Sequence, residues 1–380
     1  MVWLILQGAQ VFGGRGVLVD RLAVGLAAFW SIALASLAAG WIIATTIGVS
    51  GPANGRDAIA LAFVAAITCA LAASPARGVL VERTVVVLLF ATGVAAVGVF
   101  VAVLVGRRLA FGGVDLLYQG FRLRGWSDNP NQLALLLLPV PSLALGAVAR
   151  WSSRIARVLV IAVGGAAVPL GLATGSDALM LAWLAGGVGA AVFYWVASVV
   201  GPQRNLGRAV ALRLVGPIVA VAVVIGLAGS GLRWVESRIE RTFLEGRQGK
   251  DRVDRWRHGF EAASTSVVFG LGPGAFSGKT GPFQGQEAHS TLVDWAASTG
   301  LVGMFALVVL GVVIGAVVLA SRDWIVIWWF GSLAVFLALH YMLRHPLVWF
   351  QLVAIAQLGW TSFKKRNRPP VHPSYTLSPA

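Results

Sequence analysis

The sequence of 380 residues is 58% hydrophobic and only 12% charged, and its net charge is +15. Soluble domains usually contain about a quarter charged residues, so the composition excludes an ordinary soluble protein. A basic excess of this size would indicate nucleic-acid binding in a soluble chain. In a membrane protein it is typical of the cytoplasmic loops, and we expect no nucleic-acid partner. The single cysteine, Cys69, excludes an internal disulfide and a cysteine-based metal site.

Apolar runs of about 17–25 residues recur along the chain, and a run of this length crosses a bilayer as a helix. The runs are uniformly apolar, as in 85–105, whereas the strands of a membrane barrel alternate apolar and polar residues. We therefore predict an all-α fold, a polytopic membrane helix bundle of about ten transmembrane helices with a large periplasmic loop that contains short helices. The predicted spans are 22–46, 58–74, 84–105, 131–149, 158–173, 178–200, 209–229, 291–320, 324–343 and 346–361.

The short loops predict the orientation of the bundle. Arginines of alternate loops fall on one side, which the positive-inside rule makes cytoplasmic, together with both termini. We divide the chain into N-terminal transmembrane helices (1–230), a periplasmic loop with the candidate motifs (231–290), C-terminal transmembrane helices (291–363) and a disordered cytoplasmic tail (364–380).

A histidine stands at the outer mouth of the predicted span that begins near residue 291. His289 follows Glu287, titrates near neutral pH and is able to accept a proton from a hydroxyl. Asp294, one turn into the span, either orients a substrate or caps the helix. The alternative is that His289 is a polar residue at the membrane interface with no catalytic role.

The long external segment contains a cluster of arginines from Arg252 to Arg257. Guanidinium groups bind phosphate oxygens in a fork, so Arg252 and Arg255 beside a membrane suit a pyrophosphate-lipid ligand. A charged helix bound to anionic headgroups is the alternative. Residues 253–262 predict a short amphipathic helix at the interface.

The first external loop carries Arg122 and Arg124, followed by Asn129-Pro130-Asn131. Asn129 or Asp128 is expected to cap the next span, with proline in its first turn. His340 falls inside a predicted span, where a packed side chain is the expectation.

Together these segments resemble the O-antigen ligase and polymerase family of bacterial envelope glycosyltransferases. His289-Ser290, followed after nine residues by Gly300-Leu301-Val302-Gly303, is similar to the family signature His-Asn/Ser-x9-Gly-x-x-Gly. Arg252-x-x-x-Trp256, the glycine-rich stretch 269–276 and the Asn-Pro-Asn helix start resemble further family motifs. One departure is Asp177, which stands where members often have arginine; either Arg122, Arg124 or Arg255 supplies the missing charge, or the donor is held differently.

The resemblance implies a glycosyltransferase of the bacterial inner membrane with its site facing the periplasm. A glycan on undecaprenyl pyrophosphate would pass to a hydroxyl of a glycan or lipid A-core acceptor, without cofactor or metal. His289 would be the catalytic residue. The substrate-binding residues would be Arg252, Arg255, Arg124, Arg122, Glu287 and Asp294.

Three alternatives remain open. A polymerase would join lipid-linked repeat units, and the motifs do not separate it from a ligase. A lipid-linked sugar flippase should show charged residues lining its spans and an internal repeat, whereas the charges here gather outside the spans. A non-catalytic membrane scaffold would not need an intact histidine signature.

Overall fold

The computed structural model describes residues 17–49, 51–74, 76–104, 110–111, 114–119, 122–125, 127–150, 152–200, 247–277 and 285–367. Three predicted features lie outside the described residues: the span at 209–229, the start of the periplasmic loop at 231–246 and the tail from 368 onward.

Long apolar helices make up most of the described chain. They are α1 (Val17–Thr46), α2 (Asn54–Ala73), α3 (Arg77–Leu104), α4 (Pro130–Leu137), α5 (Val140–Arg150), α6 (Arg154–Ala173), α7 (Asp177–Val200), α8 (Arg247–Thr265), α9 (Thr291–Ser321), α10 (Trp324–Leu339) and α11 (Pro346–Arg366). Two small antiparallel hairpins, β1 (Ala110–Phe111) with β2 (Val114–Asp115) and β3 (Leu117–Tyr118) with β4 (Arg122–Leu123), lie between α3 and α4. Seven helical stretches of the described part are long and apolar enough to cross a membrane, and α10 is a shorter apolar helix. The predicted helical membrane bundle is confirmed.

The span predicted at 131–149 is divided by its prolines. Asn129 caps α4, since its side chain accepts a hydrogen bond from Asn131 N at 2.8 Å, and Pro130 occupies the first turn. α4 ends at Leu137 and α5 begins at Val140. Pro139 and Pro141 lack the N–H that a continuous helix would use, which accounts for the break.

Polar contacts gather the loops at the two ends of the bundle. At the end predicted to face the periplasm, here called the outer end, Arg122 reaches Thr174 O, Arg344 reaches Asp57, and Thr291 reaches His340 O. At the opposite end Arg77 Nε donates to Gln357 Oε1 at 2.9 Å, and Ser362 Oγ donates to Asp323 Oδ2 at 2.8 Å. The candidate residues described by the structure therefore share one end.

α9 is interrupted nine residues after it begins. Gly300 has φ 59° and ψ −160°, outside the helical region, and the segment 266–272 that follows α8 lies against this point. We call this contact the glycine crossing. Four backbone hydrogen bonds form it: Leu271 N to Ala297 O at 2.8 Å, Gly272 N to Ser298 O at 3.0 Å, Leu301 N to Val267 O at 2.8 Å and Val302 N to Val268 O at 3.1 Å. The polar groups that the interruption frees from the helix are thus satisfied, as an apolar environment requires.

Only glycine fits the centre of the crossing. A Cβ on Gly300 would lie 2.5 Å from Gly270 N, and a Cβ on Gly40 of α1 would lie 2.7 Å from Phe269 O. Ser36 of α1 closes the contact from the other side, since its buried Oγ donates to Thr299 O at 2.6 Å. Glycines at these positions therefore allow the backbones of α1, α9 and the segment after α8 to approach closely.

We expect Gly300→Ala to lower the stability of the folded protein by at least about 2 kcal/mol, because the new Cβ meets backbone atoms and the residue has positive φ. Gly311→Ala is the matched control on the same helix, since nothing lies within 4 Å of a Cβ there. The thermal unfolding midpoint of the two purified variants measures the difference. Equal midpoints would contradict the crossing.

Cysteine labelling tests the orientation of the bundle. In a Cys69→Ser background we expect Asp128→Cys, which is exposed between the hairpins and α4, to react with a membrane-impermeant maleimide in spheroplasts. Ser152→Cys, exposed between α5 and α6, should react only after permeabilisation. The reverse pattern would place the candidate residues in the cytoplasm.

Candidate active site

The turn that carries His289 is held by Asp294. Ser290 is the N-cap of α9, and the buried Asp294 carboxylate accepts hydrogen bonds from Ala288 N at 2.8 Å and Ser290 N at 3.2 Å. His289 lies between these two amides with φ 58°, a left-handed conformation that is uncommon without glycine. Asp294 therefore fixes the backbone of His289, which favours the capping interpretation of this residue over substrate binding.

Glu287 belongs to an ion-pair network. It pairs with Arg344, whose NH1 also lies 3.1 and 3.3 Å from the two carboxylate oxygens of Asp57. The Asp57 side chain is only 2% exposed, and Arg56 Nε also donates to it, at 3.2 Å. A buried carboxylate is costly without a cation, so the network ties α2, the His289 turn and the α10–α11 turn together. Glu287 was predicted to bind substrate, and in the structure its carboxylate forms part of this ion-pair network.

α8 brings two arginines to the His289 turn. The predicted amphipathic helix is present and longer than expected, and Arg252, Arg255 and Gly259 recur at three- and four-residue spacing on one face. A Cβ on Gly259 would lie 2.5 Å from Val293 Cγ1 and 3.1 Å from Ala288 Cβ. Glycine therefore allows α8 to lie directly on the turn.

The surroundings of His289 keep its ring neutral. Burial lowers the pKa of His289 most, and the positive charges of Arg255, Arg252 and Arg344 lower it further, to about 4. At neutral pH the imidazole is therefore uncharged and able to accept a proton. Burial likewise lowers the pKa of Arg252, and the neighbouring charge of Asp177 acts in the opposite direction.

Arg122 lies over the turn between α6 and α7. Its Nε donates to Thr174 O at 2.8 Å, and a Cβ on Gly175, which has φ 59°, would lie 3.1 Å from this nitrogen. The charge of Asp177 acts on both Arg122 and Arg252. A guanidinium from a hairpin thus reaches the turn where the family motif predicts an arginine. Arg124 instead donates from Nε to Asp115 O at 3.1 Å on its own hairpin segment.

Asp57 and His340 belong to this cluster and were not predicted as site residues. Asp57 was missed because the sequence around an acidic residue at the start of a span does not show that its partner lies 287 residues away. His340 was expected to be a packed side chain inside a span. It follows the last residue of α10, and the charges of Arg252, His289 and Arg122 act on its ring. In the described segments no group of three His, Cys, Asp or Glu side chains could hold a metal ion.

Comparison with known proteins identifies the family. Residues 170–308 match the family model described as O-antigen ligase, a region that includes α7, α8, the His289 turn and the glycine crossing. Over this region the chain is similar to the O-antigen ligase family. The similarity supports a membrane glycosyltransferase of the O-antigen ligase or polymerase type. Neither the curated proteins nor the solved structures contain a match.

Within the matched region, the histidine and the glycines of the signature have different structural roles. The histidine at the start of the signature lies beside arginines, whereas its first glycine, Gly300, lies in the crossing. The nine-residue spacing places the crossing two to three helical turns below the mouth of α9. The glycine-rich stretch after α8 supplies the other half of the crossing.

The pKa of His289 predicts an acid limit for transfer. If the neutral ring accepts the hydroxyl proton, kcat/KM should fall only as the pH approaches about 4, well below the limb near 6.5 of an ordinary histidine. Arg255→Gln removes one repelling charge and should move this limb to higher pH. Profiles of kcat/KM for both proteins, with recovery at pH 7 checked after each acid exposure, measure the effect. A limb near 6.5 in the wild type would contradict the electrostatic environment described for His289.

Proposed function

We propose that this protein transfers a glycan from undecaprenyl pyrophosphate to an acceptor hydroxyl at the periplasmic face of the bacterial inner membrane. The observation that carries the proposal is a half-buried, neutral histidine at the mouth of α9, whose ring is acted on by the charges of the α8 arginines. This arrangement combines a proton acceptor with permanent positive charge, which is the pair of functions that attack on a sugar pyrophosphate requires.

The arginines are proposed to hold the pyrophosphate of the donor. Arg252 and Arg255 come from α8 and Arg122 comes from β4. The charges of Arg255 and Arg122 act on Arg252, and guanidinium forks match phosphate oxygens. Asp177 acts on Arg122 and Arg252 with the opposite charge, which reduces their mutual repulsion before the donor binds. Arg344 is already paired with Glu287 and Asp57, so its contribution is to the local field.

The proposed reaction is a direct displacement. The acceptor oxygen forms a bond to the anomeric carbon of the glycan, and His289 accepts the proton that this oxygen loses. The bond between the anomeric carbon and the pyrophosphate oxygen breaks, and its electron pair leaves with undecaprenyl pyrophosphate. The arginines stabilise the charge that develops on this leaving group. Donor negative charge also offsets the repulsion that lowers the pKa of His289.

The acceptor decides between ligase and polymerase. A deletion strain separates them by its polysaccharides: polymer that accumulates on the lipid carrier, with none attached to lipid A-core, indicates a ligase. Products limited to one repeat unit indicate a polymerase.

We expect His289→Ala to reduce transfer by about 10²–10⁴-fold, because the proton acceptor is lost, while donor affinity stays near normal. Purified protein in detergent, with undecaprenyl-pyrophosphate-linked glycan as donor, provides both the rate and the dissociation constant. Normal turnover of His289→Ala would contradict its catalytic assignment.

The complementary variant is Arg252→Lys, which should weaken donor binding by about tenfold because an ammonium cannot form the bidentate contact. Arg257→Lys is the matched control on the same helix, since Arg257 is largely exposed and pairs with Glu261. Equal donor affinity for the two variants would show that Arg252 does not bind the donor.

A further inference from the structure

His340 is held in the site by its backbone. It follows the end of α10 in an extended conformation, with φ −143° and ψ 141°. Its carbonyl accepts a hydrogen bond from Thr291 Oγ1 at 2.7 Å, two residues after His289. The ring packs on Phe336 with 4.9 Å between centroids, and the residue is only 5% exposed. Main-chain bonding and aromatic packing therefore position the imidazole next to the His289 turn.

One nitrogen of this imidazole has no partner. Nε2 of His340 is buried, and the described part of the chain offers it no hydrogen bond. A buried polar atom left unsatisfied costs roughly 1–3 kcal/mol, so such atoms are rare and call for an explanation. The residues whose charge acts on this ring are Arg252, His289 and Arg122. The unsatisfied nitrogen thus belongs to a residue bonded to the His289 turn, beside which the donor pyrophosphate is proposed to bind.

We propose that His340 is a second substrate-binding histidine, whose Nε2–H donates a hydrogen bond to a pyrophosphate oxygen of the lipid-linked donor. This inference rests on the proposed function. Each non-bridging oxygen of a pyrophosphate can accept more than one hydrogen bond, so acceptor capacity remains beside two or three guanidinium forks. A neutral imidazole adds a donor without adding charge. Donor binding would supply the hydrogen bond that the chain itself does not provide.

The structure separates this role from simple packing. Thr291 bonds to the main chain of residue 340, so a side-chain substitution leaves that bond intact. His340→Phe keeps a ring against Phe336 and removes a nitrogen that has no internal partner. The thermal midpoint should therefore stay the same or rise, while donor binding weakens. A histidine that only packs would show the opposite pattern.

The test uses the full-length protein in detergent, with undecaprenyl-pyrophosphate-linked glycan as donor. We expect His340→Phe to raise the KM for the donor by about tenfold with no fall in the thermal midpoint, whereas the acceptor KM stays unchanged. His340→Gln, whose amide nitrogen reaches toward the position of Nε2, should recover part of the donor affinity. His258→Phe is the matched control, because His258 pairs with Glu261 on α8 and should keep the wild-type KM.

Two results would overturn the assignment. Wild-type donor KM in His340→Phe would show that Nε2 does not bind the donor. A fall in thermal midpoint in both the Phe and the Gln variants, with their KM changes in proportion, would show a packing role. If the wild-type protein itself transfers nothing from this donor, the proposed function fails, and the assignment of His340 fails with it.

Discussion

The exchange of backbone hydrogen bonds at Gly300 determines where the functional groups at the outer end lie. For one turn α9 lacks its own helical hydrogen bonds. Amides of the segment after α8 donate to the freed carbonyls of α9, and carbonyls of that segment accept hydrogen bonds from the freed amides of α9. Because unsatisfied peptide groups are costly in an apolar environment, neither partner can move away alone. α8 lies directly before this crossing and the His289 turn directly before α9, so the arginines and the histidine are fixed to a common support.

Electrostatics then sets the chemical state of the site. Four guanidinium groups lie near two imidazoles, and each carboxylate of the cluster has a defined task. Asp57 and Glu287 neutralise Arg344, Asp177 acts on Arg122 and Arg252, and Asp294 holds the backbone of the turn. The remaining positive field lowers the pKa of His289 and suits the pyrophosphate of the proposed donor. The same field would then serve both the proposed proton acceptor and the proposed leaving-group site.

Local sequence patterns predicted the local structure well. Uniform apolar runs predicted the membrane bundle, and the Asn-Pro-Asn triplet predicted the cap of α4. The pattern of residues 253–262 predicted the amphipathic helix α8. The resemblance to the family signature pointed to His289, which lies within the matched region 170–308, and its catalytic role stays a prediction. The span expected at 131–149 contains Pro139 and Pro141, and the structure divides it into α4 and α5.

Long-range contacts could not be predicted from one sequence. The partner of Arg344 is Asp57, far away in the chain, and no periodic pattern connects them. Whether Gly300 was a catalytic or a packing residue also depended on which backbone approaches it, and the approaching segment lies before the His289 turn. His340 was expected to pack, and it does pack on Phe336, but the apolar run continues across the true end of α10 and hides that this residue leaves the helix.

An experimental structure of the protein with undecaprenyl pyrophosphate bound would test the proposed site most directly. We expect the pyrophosphate to lie between Arg252 and Arg122, within hydrogen-bond distance of His340 Nε2 and with His289 facing the glycan side. Pyrophosphate density elsewhere on the outer end, or at the end that carries Arg77 and Gln357, would contradict it.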